Sequence, residues 1–151
     1  MAEAEQSIFG QIRLEDMRAS ELLTRTVLPL VKRALEHSDG RYSLDNIIDG
    51  LREGKFELWG VMRLPDHLQG VAVTHVETYP SGARAYTILH LGGPTMADAA
   101  AFFRFLPRME AVARGARCDR LVMVGRRGWE RDLDKEWRVV STVYERTLGP
   151  R

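Results

Sequence analysis

His75 and His90 are the residues of this 151-residue chain best suited to move a proton. A neutral imidazole titrates close to physiological pH and can take a proton from an amine or a hydroxyl. The two histidines flank Pro80-Ser81-Gly82-Ala83, a turn cluster. A hairpin centred on Ser81-Gly82 pairs residues whose numbers sum to 163, which sets His75 opposite Ile88 and His90 opposite Val73. Both histidines then share one sheet face as diagonal neighbours, about 7–8 Å apart. Glu77 shares that face but lies further from the end of the second strand. The same placement equally suits two histidines hydrogen-bonded within a half-buried sheet.

A second cluster could bind anions. Gly125-Arg126-Arg127-Gly128 follows the apolar run Leu121–Val124 and precedes Trp129 and Arg131. A run that apolar belongs inside a sheet. The end of a central strand, followed by a helix start, is where α/β folds usually place ligands. Arg126, Arg127 and Arg131 are therefore candidates for phosphate or partner contact. The competing reading is a solvated basic face paired with Glu130, Asp132, Asp134 and Glu136. Trp129 reads as a packing anchor for its short helix, and Trp59 and Trp137 as core or rim residues. Cys118, the single cysteine, precedes a core strand and reads as an inert thiol. The four histidines (37, 67, 75 and 90) have no metal-ligand spacing, and no catalytic triad order, phosphate loop or dinucleotide fingerprint occurs.

The elements that must position these residues follow from pattern. Ser7–Leu14 reads as a first strand, with Glu15-Asp16 opening a helix. Ser20–His37 carries an apolar stripe at helical spacing, with Pro29 inside it to kink or split it. Ser43 caps a second helix over Leu44–Arg52. Phe56–Met62, Gly70–Tyr79 and Arg84–Leu91 form an antiparallel meander. Gly92-Gly93-Pro94 stops the third of these, and Thr95 with Asp98 opens a helix over Ala97–Arg114, bent at Pro107. The strand Leu121–Val124, a short helix near Trp129–Leu133 and a strand over Arg138–Thr147 complete the chain.

Composition narrows the function classes. The length and the 44% hydrophobic and 28% charged shares suit one soluble globular domain spanning 1–151. No apolar run approaches the ~18 residues of a membrane span, so no membrane partner is expected. One cysteine excludes a disulfide framework, and the acidic N-terminus lacks a secretory pattern. The net charge of +1 conceals an uneven distribution: residues 104–131 hold eight arginines against Glu110, Asp119 and Glu130. Arginine outnumbers lysine 19 to 3, which codon usage alone would produce.

The order β-α-α-β-β-β-α-β-α-β resembles the GCN5-related N-acetyltransferase (GNAT) fold from Ile12 to Leu148. VAVTHVETYP, ILHLGG, CDRLVMVGRRGW and the VYERTL ending are similar to GNAT-like proteins of phages and prophages, some of which resemble internal virion proteins of short-tailed phages. The resemblance implies a mixed α/β (α+β) fold, with a centrally splayed sheet and helices on both faces. In active members acetyl-CoA enters the splay. The strand ending at His90-Leu91 would bond the pantetheine arm, and Leu91, Gly92 and Gly93 would approach the cofactor. The family's pyrophosphate loop is nonetheless altered: Leu91-Gly92-Gly93-Pro94-Thr95-Met96 lacks the usual Arg or Gln and the glycine spacing, and Pro94 removes an amide donor. Trp129 stands in the region where active members often carry a tyrosine acid.

These departures favour a non-catalytic phage or prophage protein, a virion or assembly component without a cofactor. It would be located in the virion or the bacterial host cytoplasm, not secreted. Its partners would be other virion or assembly proteins, weakly held nucleic acid or further copies of itself. The alternative is an acetyl-CoA-dependent N-acyltransferase with a degenerate loop, in which His75 or His90 is the base. For nucleic acid, each phosphate contacted adds about −0.9 to the slope of log affinity against log salt. Arg126, Arg127 and Arg131 together predict a duplex-DNA slope no steeper than about −3. Binding titrations across salt check this, and Arg126→Ala with Arg127→Ala should weaken binding uniformly across sequences.

Overall fold

Ser20, Ser43 and Thr95 start helices by accepting a backbone N–H three residues on, from Leu23, Asn46 and Asp98. Around these starts the computed structural model describes residues 6–125 and 127–150, with Arg127 described by its backbone alone. The elements are β1 (Ser7–Ile12), α1 (Leu14–Ala19), α2 (Glu21–Glu36), α3 (Leu44–Arg52), β2 (Glu57–Arg63), β3 (His67–Thr78), β4 (Arg84–Gly92), α4 (Met96–Ala100), α5 (Leu106–Gly115) and β5 (Arg120–Met123).

The five strands form one sheet in the order β1-β2-β3-β4-β5. β1 to β4 are antiparallel neighbours, and β5 runs parallel to β4. The connection between those parallel strands is the α4–α5 segment, as a parallel pair requires. Helices cover both faces. On one, Phe102, Leu106 and Met109 pack over Phe9, Trp59, Tyr86 and Ile88. On the other, Val27, Val31 and Ile47 cover Leu58, Val71 and Val73. The mixed, helix-covered sheet expected from the sequence is therefore the observed architecture.

Proline acts differently at its two helical positions. α2 continues through Pro29 as one 16-residue helix. Pro29 and Arg25, whose carbonyl loses its partner, both lie on the exposed side, where solvent takes that carbonyl. The expected single helix over Ala97–Arg114 is instead three pieces. α4 ends at Ala100, the chain tightens into a 3-10 turn over Ala101–Phe105, and α5 restarts with Pro107 in its first turn. A proline is tolerated there because no intrahelical N–H is required of it.

The strand expected over Arg138–Thr147 is not formed. Residues 138–150 are described without regular structure and are exposed throughout. Alternating apolar residues favour a strand only where a neighbouring edge supplies the ladder, and this segment lies against none among the described residues. The short helix near Trp129 is a 3-10 turn over Arg127–Arg131.

The junction of β4 with the following loop depends on close backbone approach. A Cβ built on Gly92 would lie 2.6 Å from the Leu30 carbonyl oxygen of α2, and one on Gly93 would lie 2.4 Å from that of Gln69 in β3. Both obstacles are main chain and cannot rotate away. Gly92→Ala should therefore cost about 1–3 kcal/mol, the usual penalty of overpacking. Gly10→Ala, whose Cβ would meet nothing within 4 Å, should be neutral within about 0.5 kcal/mol. Urea denaturation midpoints of the two variants check the contrast.

Candidate functional site

The β3–β4 ladder changes register once, and that change locates the histidines. From Val71↔Gly92 to Val73↔His90 the pairing follows the expected hairpin. It then shifts, so that Thr74 faces Ile88 and His75 faces Thr87, not Ile88. Leu89 is the extra residue of a β-bulge. Bulges re-aim side chains locally, and here Leu89 and His90 both turn toward α2 and α3: Leu89 packs in the Val71–Val73 cluster and His90 against Tyr42. His75 and His90 thus do share a face, as the expected alternation sets them, and the bulge changes the residue opposite His75 from Ile88 to Thr87.

On that face the two imidazoles sit under an aromatic cover. Tyr42 lies edge-on to His90 with centroids 6.0 Å apart, Phe56 lies 5.8 Å from His75, and Tyr42 and Phe56 meet edge to face. His90 is 7% exposed. Among the described residues, Nε2 of His75, Nε2 of His90 and Oγ1 of Thr87 are buried and make no hydrogen bond. Burial holds both imidazoles below the ordinary histidine value of 6.5. Glu77 opposes that shift at His75, while at His90 Asp39 opposes it and His75 reinforces it. Both rings are therefore neutral at neutral pH, with an unsatisfied nitrogen.

The opposite face of the same strands carries a satisfied network. Trp59 Nε1–H donates to Thr74 Oγ1 at 3.1 Å and to Tyr86 Oη at 3.2 Å, and Tyr86 donates to Glu57 Oε1 at 3.1 Å. Burial pushes the Tyr86 phenol up to about 12, so it stays protonated.

The sheet opens beside His90. β4 and β5 pair from Ala85↔Arg120 to Ile88↔Met123, and their last bond among the described residues is Val124 N–H to Ile88 O, 3.0 Å. Beyond Ile88 no bond joins the two strands among the described residues. Trp129 closes the far side of that opening: it is 5% exposed, packs edge-on against Phe103 and lies over Gly125. A cavity of about 250 Å³ remains, lined by Leu91, Gly92, Gly93, Ala34, Arg33 and Trp129 among others. The expected cofactor-binding residues Leu91, Gly92 and Gly93 line this cavity. His75 and His90 do not; they are enclosed beside it by Tyr42 and Phe56.

Acetyl-CoA, which this fold implies, meets two different environments. The unpaired β4 backbone beyond Ile88 fits an extended amide arm added alongside the strand. The diphosphate end does not fit. The bare faces of Gly92 and Gly93 are turned to the protein's own main chain, and Pro94 has no N–H. The first turn of α4 carries the Asp98 carboxylate, whose own N–H is bound by Thr95 Oγ1. That carboxylate also accepts from the Thr95 hydroxyl and faces His67 at 3.2 Å. A negative group where a second anion would sit opposes it. Arg33 lines the cavity and is the described cation available for a phosphate there.

Of the basic cluster, Arg126 and the side chain of Arg127 lie outside the described residues. Arg131 is exposed and donates Nε–H to Gly128 O at 3.2 Å, without an ion pair to its acidic neighbours. Trp129 is the packing anchor that the sequence indicates. Cys118 is partly exposed, and burial pushes its thiol up from its ordinary range, which disfavours a nucleophile. No group of acidic, histidine or cysteine residues among those described could hold a metal ion. No described helix is long and apolar enough to cross a membrane. Sequence reasoning missed Thr87, Tyr42 and Phe56. Only the bulge faces Thr87 toward His75, and the two rings arrive from loops that flank α3.

No family model matches the chain, and no curated protein matches it significantly. Solved structures do. A ribosomal-protein-alanine N-acetyltransferase from Brucella melitensis biovar Abortus is 18% identical, with 95% of this chain and 99% of that one covered and a TM-score of 0.61. An acetyltransferase from Trypanosoma brucei is 13% identical over 94% and 99% of the chains, TM-score 0.63. An aminoglycoside acetyltransferase from an uncultured soil metagenomic sample, in complex with sisomicin, is 9% identical over 96% and 98%, TM-score 0.63.

The depressed imidazoles make stability depend on pH. Unfolded, each titrates near 6.5; folded, each holds its proton less tightly. The unfolded state therefore binds more protons from the folded value up to 6.5, and stability falls as pH falls through that window. Urea midpoints between pH 5 and 7.5 should drop on the acid side, and His75→Gln with His90→Gln should flatten the profile. The fold seen here is the GNAT fold, a mixed sheet that parts between its fourth and fifth strands.

Proposed function

We propose that the chain is an N-acyltransferase that takes its acyl group from a thioester donor of the acetyl-CoA type. The observation that carries this reading is the parting of β4 and β5 after Ile88, two residues before a buried, neutral histidine. The likeness to solved acetyltransferases supports it at the level of fold. It favours an enzyme over the virion or assembly component expected from the altered loop, because the alteration touches the diphosphate end and leaves the strand opening intact.

When bound, the thioester supplies an activated carbonyl. The chain's own residues do the rest. The backbone of Leu89–Leu91 orients the donor arm along the strand. Trp129 closes the wall of the opening and limits water. His90, with His75 behind it, receives the proton that an attacking amine loses, its depressed affinity leaving it neutral and ready to accept.

The misfitting diphosphate end sets the expected affinity. Calorimetry with acetyl-CoA should give a dissociation constant of roughly 100 µM to 1 mM, about 4–5.5 kcal/mol. No heat and no thermal stabilisation at 5 mM ligand would remove the donor and restore a non-catalytic role. Where thiol release in the presence of an amine panel reports turnover, His90→Gln should lower kcat by about 10²–10⁴-fold and leave the donor dissociation constant within twofold. Unchanged kcat would take His90 out of the mechanism.

A further inference from the structure

The opening beside β4 accommodates one end of acetyl-CoA and opposes the other. Beyond Ile88, β4 bonds no β5 residue among those described, which leaves main-chain groups for an extended amide arm. The cavity there holds about 250 Å³, less than the roughly 300–1,000 Å³ of sites that enclose a whole small molecule. It takes an arm and leaves the far end of that arm outside. At that far end a diphosphate has no cradle. A Cβ on Gly93 would lie 2.4 Å from Gln69 O and 2.8 Å from Ala99 N, so its bare face is already occupied. Pro94 has no N–H, and Asp98 puts a carboxylate in the first turn of α4. One cation is placed for a phosphate. α2 lies against Gly92, where an added Cβ would meet Ala34 Cβ at 2.9 Å, and it thereby brings Arg33 to the cavity wall. Arg33 is exposed and has no ion pair among the described residues.

We infer that the donor is a thioester on a phosphopantetheine arm carried by a small acidic protein, and not a thioester of coenzyme A. The inference rests on the acyl-transfer reading of this same opening. A carrier-bound arm has the amides and the thioester of the coenzyme, but it ends in a single phosphodiester with no diphosphate and no nucleotide. One arginine matches one phosphodiester, and no second anion has to sit near Asp98. The body of the carrier lies outside the mouth, where this chain is basic. Residues 104–131 hold eight arginines against Glu110, Asp119 and Glu130. That run begins next to Phe103 and ends just past Trp129, two rings that meet 5.6 Å apart, and Trp129 lines the cavity. Both ends of the run are therefore at the opening. Arg104 and Arg131 at those ends are exposed, as is Lys32 beside Arg33. Such a face attracts and orients an acidic partner. Met96, 51% exposed on the cavity wall, adds an apolar contact. In the transfer the amine nitrogen bonds to the carbonyl carbon and the C–S bond breaks. The proton lost by the amine passes through His90, and the sulfur leaves as the protonated thiol of the carrier's arm.

Calorimetry on the full chain with four acetyl thioesters tests this: those of pantetheine, of phosphopantetheine, of coenzyme A and of a purified bacterial acyl carrier protein. Acetyl-phosphopantetheine should bind within about threefold of acetyl-CoA, because the nucleotide adds nothing. The loaded carrier should bind at least about tenfold more tightly than the free arm at low salt, an advantage that about 0.5 M salt removes. Arg33→Ala should weaken acetyl-phosphopantetheine and the loaded carrier by about three- to fivefold and leave acetyl-pantetheine unchanged. Acetyl-CoA binding more than about tenfold more tightly than acetyl-phosphopantetheine overturns the inference and leaves acyl transfer from a thioester standing. So does a loaded carrier that binds no more tightly than the free arm. Failure of all four thioesters to bind removes the acyl-transfer reading, and this inference with it.

Discussion

One extra residue in β4 governs the arrangement of both faces of this sheet. Had the ladder kept the register of Val73↔His90, Ile88 would face His75 and the side chains of β4 would alternate without a break. The bulge at Leu89 lets Tyr86 and Ile88 stay in the core under the α4–α5 segment while Leu89 and His90 both turn to α2 and α3. It also bends the strand locally at the residues where its bonding to β5 stops. The Thr87–His75 pairing and the strand opening thus both lie at the same insertion.

The two faces beside the bulge treat polar groups in opposite ways. Under α4 and α5, Trp59, Thr74, Tyr86 and Glu57 bond one another across three strands. A fully paired buried network of this kind fixes strand register, because a slip would orphan several groups at once. On the other face buried atoms of His75, Thr87 and His90 make no hydrogen bond to the described residues, under the aromatic cover of Tyr42 and Phe56. A protein built for stability alone would fill that space with aliphatic side chains. Retaining polar atoms without partners there costs stability.

Much of this was legible in the chain. The meander, the capping residues, the parallel return at Leu121 and the anchoring role of Trp129 follow from local pattern, and local pattern reports local physics. The bulge was not legible, because Ile88-Leu89-His90-Leu91 contains no glycine or proline to mark it. The faces of the histidines were foreseen correctly, but His75 was assigned the wrong opposite residue for that reason. Gly92 and Gly93 read as an anion cradle, yet their bare faces serve packing against Leu30 and Gln69; which backbone approaches a glycine is tertiary information. Pro107 announced a break, but not that three pieces would result. The residues after Arg138 have the composition of a strand, and composition does not say which edge completes it.

The hydrogen-bonded clasp between β4 and β5 bears on how the chain folds. Arg84 N–H donates to Asp119 Oδ2 and Asp119 N–H to Arg84 O, each at 2.8 Å, between residues 35 positions apart. The hairpins from β2 to β4 close short loops, whereas this pair must wait for the whole crossover to be in place. Loop closure must be met before the contacts that reward it. β5 therefore docks onto the hairpins of β2 to β4 once they have formed, as β1, whose partners on β2 lie 46 to 56 residues away, must also do.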